Sequence, residues 1–323
     1  MLLYKFNKMK ILITGIAGFI GSNLGERLIS EGHTIIGIDN FDPFYDRKIK
    51  EKNIASLCQT SKFSFYEADI RDKSFLNSIF ASERPEIIIH LAAKAGVRPS
   101  IQNPVDYYDV NVMGTLNILE CMKDNGISKM IFASSSSIYG NNRKIPFSEA
   151  DHVDNPISPY AASKKSCELL CHTYCHLHNF SINCLRFFTV YGPRQRPDLA
   201  INKFTKAILN DDIIPFYGDG TTSRDYTHIS DIIQGVSSSI NHLNGYAIFN
   251  LGESKTITLT NLILLLEKFI EKKANLNYLP LQAGDVEITF ADISKAKTEL
   301  DYYPKISMET GLQDYVSWFK NQS

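Results

Sequence analysis

The chain has 323 residues, with 34 Lys and Arg against 35 Asp and Glu, a formal net charge of −1. Hydrophobic residues make up 44% and charged residues 21%, an ordinary globular balance that excludes a disordered chain. No basic excess points to nucleic acid, and no apolar run approaches the roughly 18 residues of a membrane span.

The first residues, MLLYKFNKMK, carry Lys5, Lys8 and Lys10 but neither the apolar run nor the cleavage site of a secretory signal. Residues 1–8 read as a short extension, with Met9 an alternative start. In that context Cys58, Cys121, Cys167, Cys171, Cys175 and Cys184 are expected to be reduced thiols of a cytoplasmic protein.

Lys10–Thr14 (KILIT) is a short apolar run that stops at Gly15-Ile-Ala-Gly18-Phe-Ile-Gly21. Phe19 to Ser30 then carries apolar residues at Ile20, Leu24 and Leu28, a helical spacing. Strand-like runs follow at Thr34–Ile38, Phe63–Tyr66, Ile87–Leu91, Met130–Ala133 and Ile182–Leu185, with helical stretches at 72–82, 105–123 and 160–177. The runs are continuous rather than alternating, as strands buried on both faces of a parallel sheet should be. After about residue 190 the elements become shorter and more mixed, and helical spacing returns at 259–270 and 308–319.

The glycine cluster joins a strand to a helix, which lets the backbone approach a pyrophosphate at the helix N-terminus. Asp39 ends the next strand 18 residues after Gly21, near the ~20 expected of an acid on the adenine ribose. A carboxylate there repels a 2′-phosphate and favours NAD over NADP. The expected fold is α/β, a doubly wound parallel-sheet Rossmann domain with a smaller mixed α/β C-terminal substrate domain. The boundary is expected near 190: residues 1–190 bind NAD, part of 225–255 returns to them, and 191–323 bind the substrate.

The spacing G-x-x-G-x-x-G resembles the short-chain dehydrogenase/reductase superfamily, in its extended branch of NAD-dependent epimerases and dehydratases. Asp69-Ile70 resembles the pair beside adenine, His90-Leu91-Ala92-Ala93 the strand end near the pyrophosphate, and Asn111 in Asn-Val-Met-Gly-Thr the N-x-x-G-T helix. The resemblance implies cofactor contacts from Gly15, Gly18, Phe19, Ile20, Gly21, Asp39, Asn40, Asp69, Ile70, Leu91, Ala92, Ala93, Lys94, Asn111 and Phe187, with Tyr160 and Lys164.

Tyr160-Ala-Ala-Ser-Lys164 places a phenol and an ammonium on one helix face, about one turn apart. A phenol ionises too high to be a base at neutral pH, and a neighbouring cation favours the phenolate. Lys164 would also hold the nicotinamide ribose. Counting back from Tyr139-Gly140, Ser135 resembles the catalytic Ser/Thr, although any of Ser134 to Ser137 is placed to face the substrate. Dehydratases of this family carry Asp-Glu just after that residue, and the related decarboxylases a Glu just before the Tyr-Gly pair's preceding residue. Here Ser136 and Ser137 stand instead. Epimerisation needs only reversible hydride transfer and is the expected reaction, with Tyr160 removing the 4-hydroxyl proton to give a transient 4-keto sugar.

Phe187-Phe-Thr-Val-Tyr-Gly-Pro-Arg-Gln-Arg-Pro-Asp198 resembles a segment of UDP-glucuronate 4-epimerases, as do Ala95-Gly-Val-Arg98 and, with Pro43 and Phe44 departing, Asp39–Asp46. Arg196, with Thr189, suits a uronate carboxylate; the alternative for Arg194 and Arg196 is a surface ion pair. The resemblance further implies substrate contacts from Arg98, Ser135, Ser136, Ser137, Asn202, Lys203, the diphosphate arginine Arg224 and the ribose acid Asp285. UDP-glucose or UDP-N-acetylglucosamine 4-epimerase is the nearest rival, then a UDP-glucuronate decarboxylase, then a non-catalytic redox sensor. Cys167, Cys171 and Cys175 recur every four residues near His172, His176 and His178 and read as helix packing rather than a metal site. A homodimer through the 105–123 and 160–177 helices is implied by the resemblance.

Overall fold

Short apolar runs, rich in Ile at Lys10–Thr14, Thr34–Asp39 and Ile87–His90, become the strands of the main sheet. In chain order the strands are β1 (Lys10–Thr14), β2 (Thr34–Asp39), β3 (Phe63–Glu67), β4 (Ile87–His90), β5 (Lys129–Ser135), β6 (Ser181–Phe187), β7 (Thr189–Tyr191), β8 (Ile213–Tyr217), β9 (Ser223–Arg224), β10 (Tyr226–His228), β11 (Tyr246–Leu251), β12 (Ile257–Thr258) and β13 (Asn275–Leu279). The computed structural model describes residues 8–280 and 286–322, and arranges seven strands in one sheet of order β11–β6–β5–β4–β1–β2–β3. Leu12 lies opposite both Ile36 and Ile88 in parallel register. The strand order reverses around β1, so the carboxyl ends of β1 and β4 form the crevice where α/β sheets receive ligands.

The helices are α1 (Phe19–Ser30), α2 (Arg47–Ile54), α3 (Lys73–Glu83), α4 (Val97–Gln102), α5 (Pro104–Tyr107), α6 (Gly114–Asp124), α7 (Pro159–His178), α8 (Ala200–Asn210), α9 (Ile229–Asn241), α10 (Leu259–Ile270), α11 (Ser294–Leu300) and α12 (Met308–Lys320). Their ends follow local chemistry. Asp72 accepts from the Phe75 N–H to start α3, and Arg84 ends it in a left-handed conformation. Thr258 and Ser307 cap α10 and α12 in the same way.

The chain divides into two compact units. The first comprises the residues up to Ser134, Pro159–Leu185 and Ser239–Ile248; the second comprises Ser135–Ser158, Arg186–Ser238 and the chain from Phe249. In the first, Leu12, Ile36, Ile88, Met130 and Ile182 of the sheet pack with Phe80, Ile118, Leu119, Cys167 and Cys171 of the helices. In the second, Tyr191, Ile201, Phe216, Leu262, Leu266, Leu312 and Tyr315 form the core. The segment 135–158 goes with the second unit because its backbone joins the C-terminal part: the Phe147 N–H bonds the Phe290 carbonyl at 2.7 Å, and the Asp292 N–H bonds the Phe147 carbonyl at 2.9 Å.

The helix expected over 105–123 is interrupted. A π-helical turn, Tyr108–Met113, separates α5 from α6, and such turns gather at functional sites. Gly114 follows it closely over Ile70: a Cβ there would lie 2.4 Å from the Ile70 Cδ1.

Candidate active site

In the first unit, β1 ends in a turn that only glycine can make. Gly15 has φ +73°, and a Cβ on it would come within 2.8 Å of the Ala92 nitrogen. A Cβ on Gly21 would lie 2.2 Å from the Gly15 carbonyl oxygen, so the helix start and the turn are in backbone contact. Gly18 gives α1 no side-chain cap. The first-turn N–H groups are then a donor set suited to a pyrophosphate. Asp39 lies against the same turn. Its two carboxylate oxygens accept from the Ala17 N–H at 3.0 Å and the Phe41 N–H at 2.9 Å, and burial pushes its carboxyl up from the ordinary value. Each oxygen keeps a second lone pair for a ribose hydroxyl. Turn and acid together fit a dinucleotide.

Beyond Asp39, the Asn40 amide donates to Asp69 at 2.9 Å. Arg71 grips the same carboxylate with Nε at 3.0 Å and Nη2 at 2.8 Å, holding the Asp69 pKa down at about 2. Lys94 pairs with Asp106, and with Asp42 at 3.5 Å. Ile70 is buried, while Leu91, Ala92 and Ala93 follow β4 and are half-buried. Arg98 is exposed on α4.

Asn111, in the π-helical turn, is almost wholly buried. Its Oδ1 accepts from the Lys94 N–H at 2.8 Å, and its Nδ2 donates to the Lys94 carbonyl and to Ser163 Oγ, both at 3.0 Å. Ser163 Oγ donates to the Tyr160 carbonyl at 2.8 Å. The Asn111 side chain therefore holds the start of α7, a duty the sequence reading, which assigns it to the cofactor, does not anticipate. Tyr160 is half-buried, edge-on to the Tyr107 ring at 6.2 Å. Lys164 is buried, its Nζ donating to the Ala133 carbonyl at 2.8 Å and lying 5.0 Å from the Phe132 ring centroid. An ammonium has three donors, so this bond anchors it without exhausting it.

Ser134 Oγ donates to the buried Glu168 of α7 at 2.6 Å. Glu168 is a partner the sequence reading misses: only its place one helical turn after Lys164 hints at it.

In the second unit, Ser135 Oγ donates to Ser137 Oγ at 3.1 Å and accepts from the Ser137 N–H at 3.2 Å, closing a tight turn over Ser136–Tyr139. Phe187 ends β6, buried, and the Thr189 N–H bonds the Asp225 carbonyl at 3.1 Å. Arg196 donates through Nε and Nη2 to Asp198 at 2.9 and 2.7 Å, a bidentate pair that holds the Asp198 carboxyl below its usual value against burial. Asn202 is fastened at both its backbone N–H and its amide to Gln195, while Lys203 is exposed. Arg224 bonds the Ser223 and Glu287 carbonyls at 2.9 and 3.3 Å. Asp225 beside it accepts from the N–H groups of Glu253, Ser254 and Ala291 and so gathers three chain segments. Asp285 lies outside the described residues.

Cys167 and Cys171 are core residues, and burial pushes the Cys167 thiol up to about 11. That makes them packing groups, as the helical repeat suggests.

The sequence profile of the GDP-mannose 4,6 dehydratase family matches residues 12–315. The chain is 47% identical over 310 residues to a UDP-glucuronate 4-epimerase of Thermodesulfobacterium geofontis, covering 96% of this chain and 95% of the relative. A crystal structure of UDP-glucuronic acid 4-epimerase from Bacillus cereus, in complex with UDP-glucuronic acid and NAD, superposes with a TM-score of 0.92 at 38% identity, covering 98% of this chain and 100% of that one. UDP-glucose 4-epimerase from Thermotoga maritima with UDP-glucose gives a TM-score of 0.90 at 33% identity, covering 97% and 99%.

Proposed function

Because this chain belongs to the GDP-mannose 4,6 dehydratase family, we propose that it performs NAD-dependent 4-epimerisation of a UDP-sugar, with UDP-glucuronate to UDP-galacturonate as the preferred conversion. The observation that carries the reaction type is the serine turn at the end of β5. Ser136 and Ser137 supply hydroxyls where elimination would need a carboxylate pair.

NAD, when bound, supplies the acceptor and donor of hydride at sugar C4. The Gly15–Gly21 turn and the α1 N-terminus hold its pyrophosphate, and Asp39 its adenine ribose. Tyr160 takes the 4-hydroxyl proton as the carbonyl forms and returns it to the opposite epimer. Lys164, anchored on the Ala133 carbonyl, holds a ribose hydroxyl with its remaining donors. Ser135 shares a hydrogen bond with the reacting hydroxyl. On the substrate side, Arg224 neutralises the diphosphate, and Thr189, Ser136, Ser137 and Arg196 receive the C6 group.

One observation favours a second reading. Asp198 already fills the planar fork of Arg196, so a neutral sugar such as UDP-glucose or UDP-N-acetylglucosamine would leave that pair undisturbed.

The assembly we propose is a homodimer. Ile101, Val105, Tyr108, Met113, Leu169 and Leu177 are exposed on α4, α5, the π-helical turn and α7, with Val105 80% accessible. Apolar side chains repeated along these helices suit burial against a second copy. No helix among the described residues is long and apolar enough to cross a membrane. The six free thiols support a reducing, cytoplasmic location.

The test is to incubate purified protein with UDP-glucuronate without added NAD and follow it by proton NMR. UDP-galacturonate is the expected product. A UDP-pentose with CO₂ would establish decarboxylation, and turnover of UDP-glucose alone would establish the neutral-sugar reading.

A further inference from the structure

His90, the last residue of β4, is 1% exposed, and none of the duties assigned above uses it. Its Nδ1 is 2.7 Å from Thr14 Oγ1, and its Nε2 is 3.1 Å from Thr115 Oγ1. The two threonines reach onward. Thr14 Oγ1 accepts from the Ala92 N–H at 3.2 Å, and Thr115 Oγ1 donates to the Asn111 carbonyl at 2.5 Å.

The ends of this chain fix the proton on every link. A carbonyl oxygen carries no hydrogen, so the Thr115 hydroxyl proton lies toward Asn111. The hydrogen between Thr115 and the imidazole must then belong to His90 Nε2. At the other end, Thr14 Oγ1 receives the Ala92 N–H and turns its own proton to His90 Nδ1. The order is Ala92 N–H to Thr14, Thr14 O–H to His90 Nδ1, His90 Nε2–H to Thr115, and Thr115 O–H to Asn111. Burial and the Lys164 ammonium both oppose a second ring proton, taking the His90 pKa down to about 3.

The chain connects two parts of the site that have no common element. Thr14 and Ala92 flank the glycine turn: Thr14 precedes Gly15, and Ala92 is the atom group a Gly15 Cβ would strike. Asn111 holds α7 on both sides of Lys164, through Ser163 from its side chain and through Cys167, whose Sγ donates to the Asn111 carbonyl at 3.2 Å.

We propose that His90 is a positioning residue, an Nε2-protonated imidazole that sets the distance between the glycine turn and the Asn111 turn and thereby the place from which Tyr160 and Lys164 act. This rests on the epimerase reading. A misplacement of the reacting groups by an ångström costs on the order of 100-fold in rate without weakening binding, so the effect belongs in kcat and not in KM.

The experiment pairs a spectrum with kinetics. In ¹⁵N-histidine-labelled protein, with and without added NAD, His90 is expected to show Nε2 protonated and Nδ1 bare. Thr115→Val, which keeps the shape and removes the hydroxyl, is expected to lower kcat for UDP-glucuronate by about 10- to 100-fold with KM near the parent's. Thr115→Ser, which keeps the hydroxyl, is expected to restore most of it. A ring protonated at Nδ1, or a Thr115→Val variant with parental kcat, overturns the proposal. So does a Val variant that the Ser variant does not improve upon, because packing alone would then explain the loss. A parent protein that turns over no UDP-sugar refutes the epimerase reading instead, and the His90 spectrum then decides the ordered chain by itself.

Discussion

Ser134 Oγ donates to Glu168 Oε1 at 2.6 Å, and this bond sorts four consecutive serines into different duties. Glu168 of α7 takes up the Ser134 hydroxyl, which leaves Ser135 as the serine proposed to meet the substrate. Ser134→Ala removes a donor from a buried carboxylate and should lower stability by about 1–3 kcal/mol while leaving kcat close to the parent's. Ser135→Ala should lower kcat by roughly 10-fold or more, with a loss of about 1 kcal/mol of stability as the Ser137 N–H loses its acceptor. Turnover measured on the two variants, beside thermal melts, separates the two duties. The opposite pattern would mean that Ser134 is the serine at the substrate.

Lys164→Met should lower kcat by about 10²- to 10⁴-fold, the usual span for losing acid–base support. The methionine also leaves the Ala133 carbonyl without the Nζ donor seen at 2.8 Å. Because the contacts proposed for the pyrophosphate and adenine ribose lie at the glycine turn and Asp39, NAD should remain bound, measurably by its release on denaturation. Normal turnover by the variant would remove Lys164 from the mechanism.

Glu253 carries a pH prediction whose sign follows from its surroundings. Its Oε2 is buried without a hydrogen-bond partner in the described structure, and Lys255 lies 3.6 Å from its Oε1. Burial raises its carboxyl to about 7, from an ordinary value of 4.5. The folded state therefore holds the proton more tightly than the unfolded state. The stability this gives is complete below the unfolded value and is lost as pH rises through about 7. Glu253→Gln should accordingly be more stable than the parent at pH 8, by about 1–3 kcal/mol, and close to it at pH 5. Melting curves at the two pH values check this. A constant difference between parent and variant would show that the carboxyl does not titrate there.

Much of the first unit is legible from pattern because its physics is local. KILIT followed by glycines gives β1 and α1 with their ends in place, and Asp39 marks the end of β2. Tyr160 and Lys164 fall on α7 because four residues make one helical turn. The interrupted helix at 105–123 is not legible, since the π-helical turn depends on Asn111 reaching the Lys94 backbone, 17 positions away. The same holds for residues 135–158. Their place in the second unit follows from pairing with residues 290–292 and from Tyr139 donating to Asn250 at 2.7 Å, contacts without a sequence period. Buried polar partners such as Glu168 and Thr115 are chosen by distant neighbours, so spacing alone does not reveal them.

The pairing of Arg196 with Asp198 sharpens the prediction about the substrate's C6 group. A uronate binding at Arg196 must displace or share the Asp198 carboxylate, which sits on the guanidinium through two charge-assisted bonds. Asp198→Asn removes that competing charge and should tighten UDP-glucuronate binding relative to UDP-glucose. Arg196→Met should weaken UDP-glucuronate more than UDP-glucose, by about 10-fold for the loss of one buried charge-assisted contact. The product ratio adds a second readout. The 4-keto uronate is a β-keto acid that loses CO₂ when its carboxylate bond to C5 aligns with the carbonyl π system. If Arg196 and Thr189 hold the carboxylate out of that alignment, Arg196→Met should raise the proportion of UDP-pentose and CO₂ over UDP-galacturonate, as proton NMR would show. An Arg196→Met variant with parental affinity and parental product ratio would leave Arg196 as the ion-pair partner of Asp198 only, and would move discrimination at C6 to the hydroxyls of Ser136, Ser137 and Thr189.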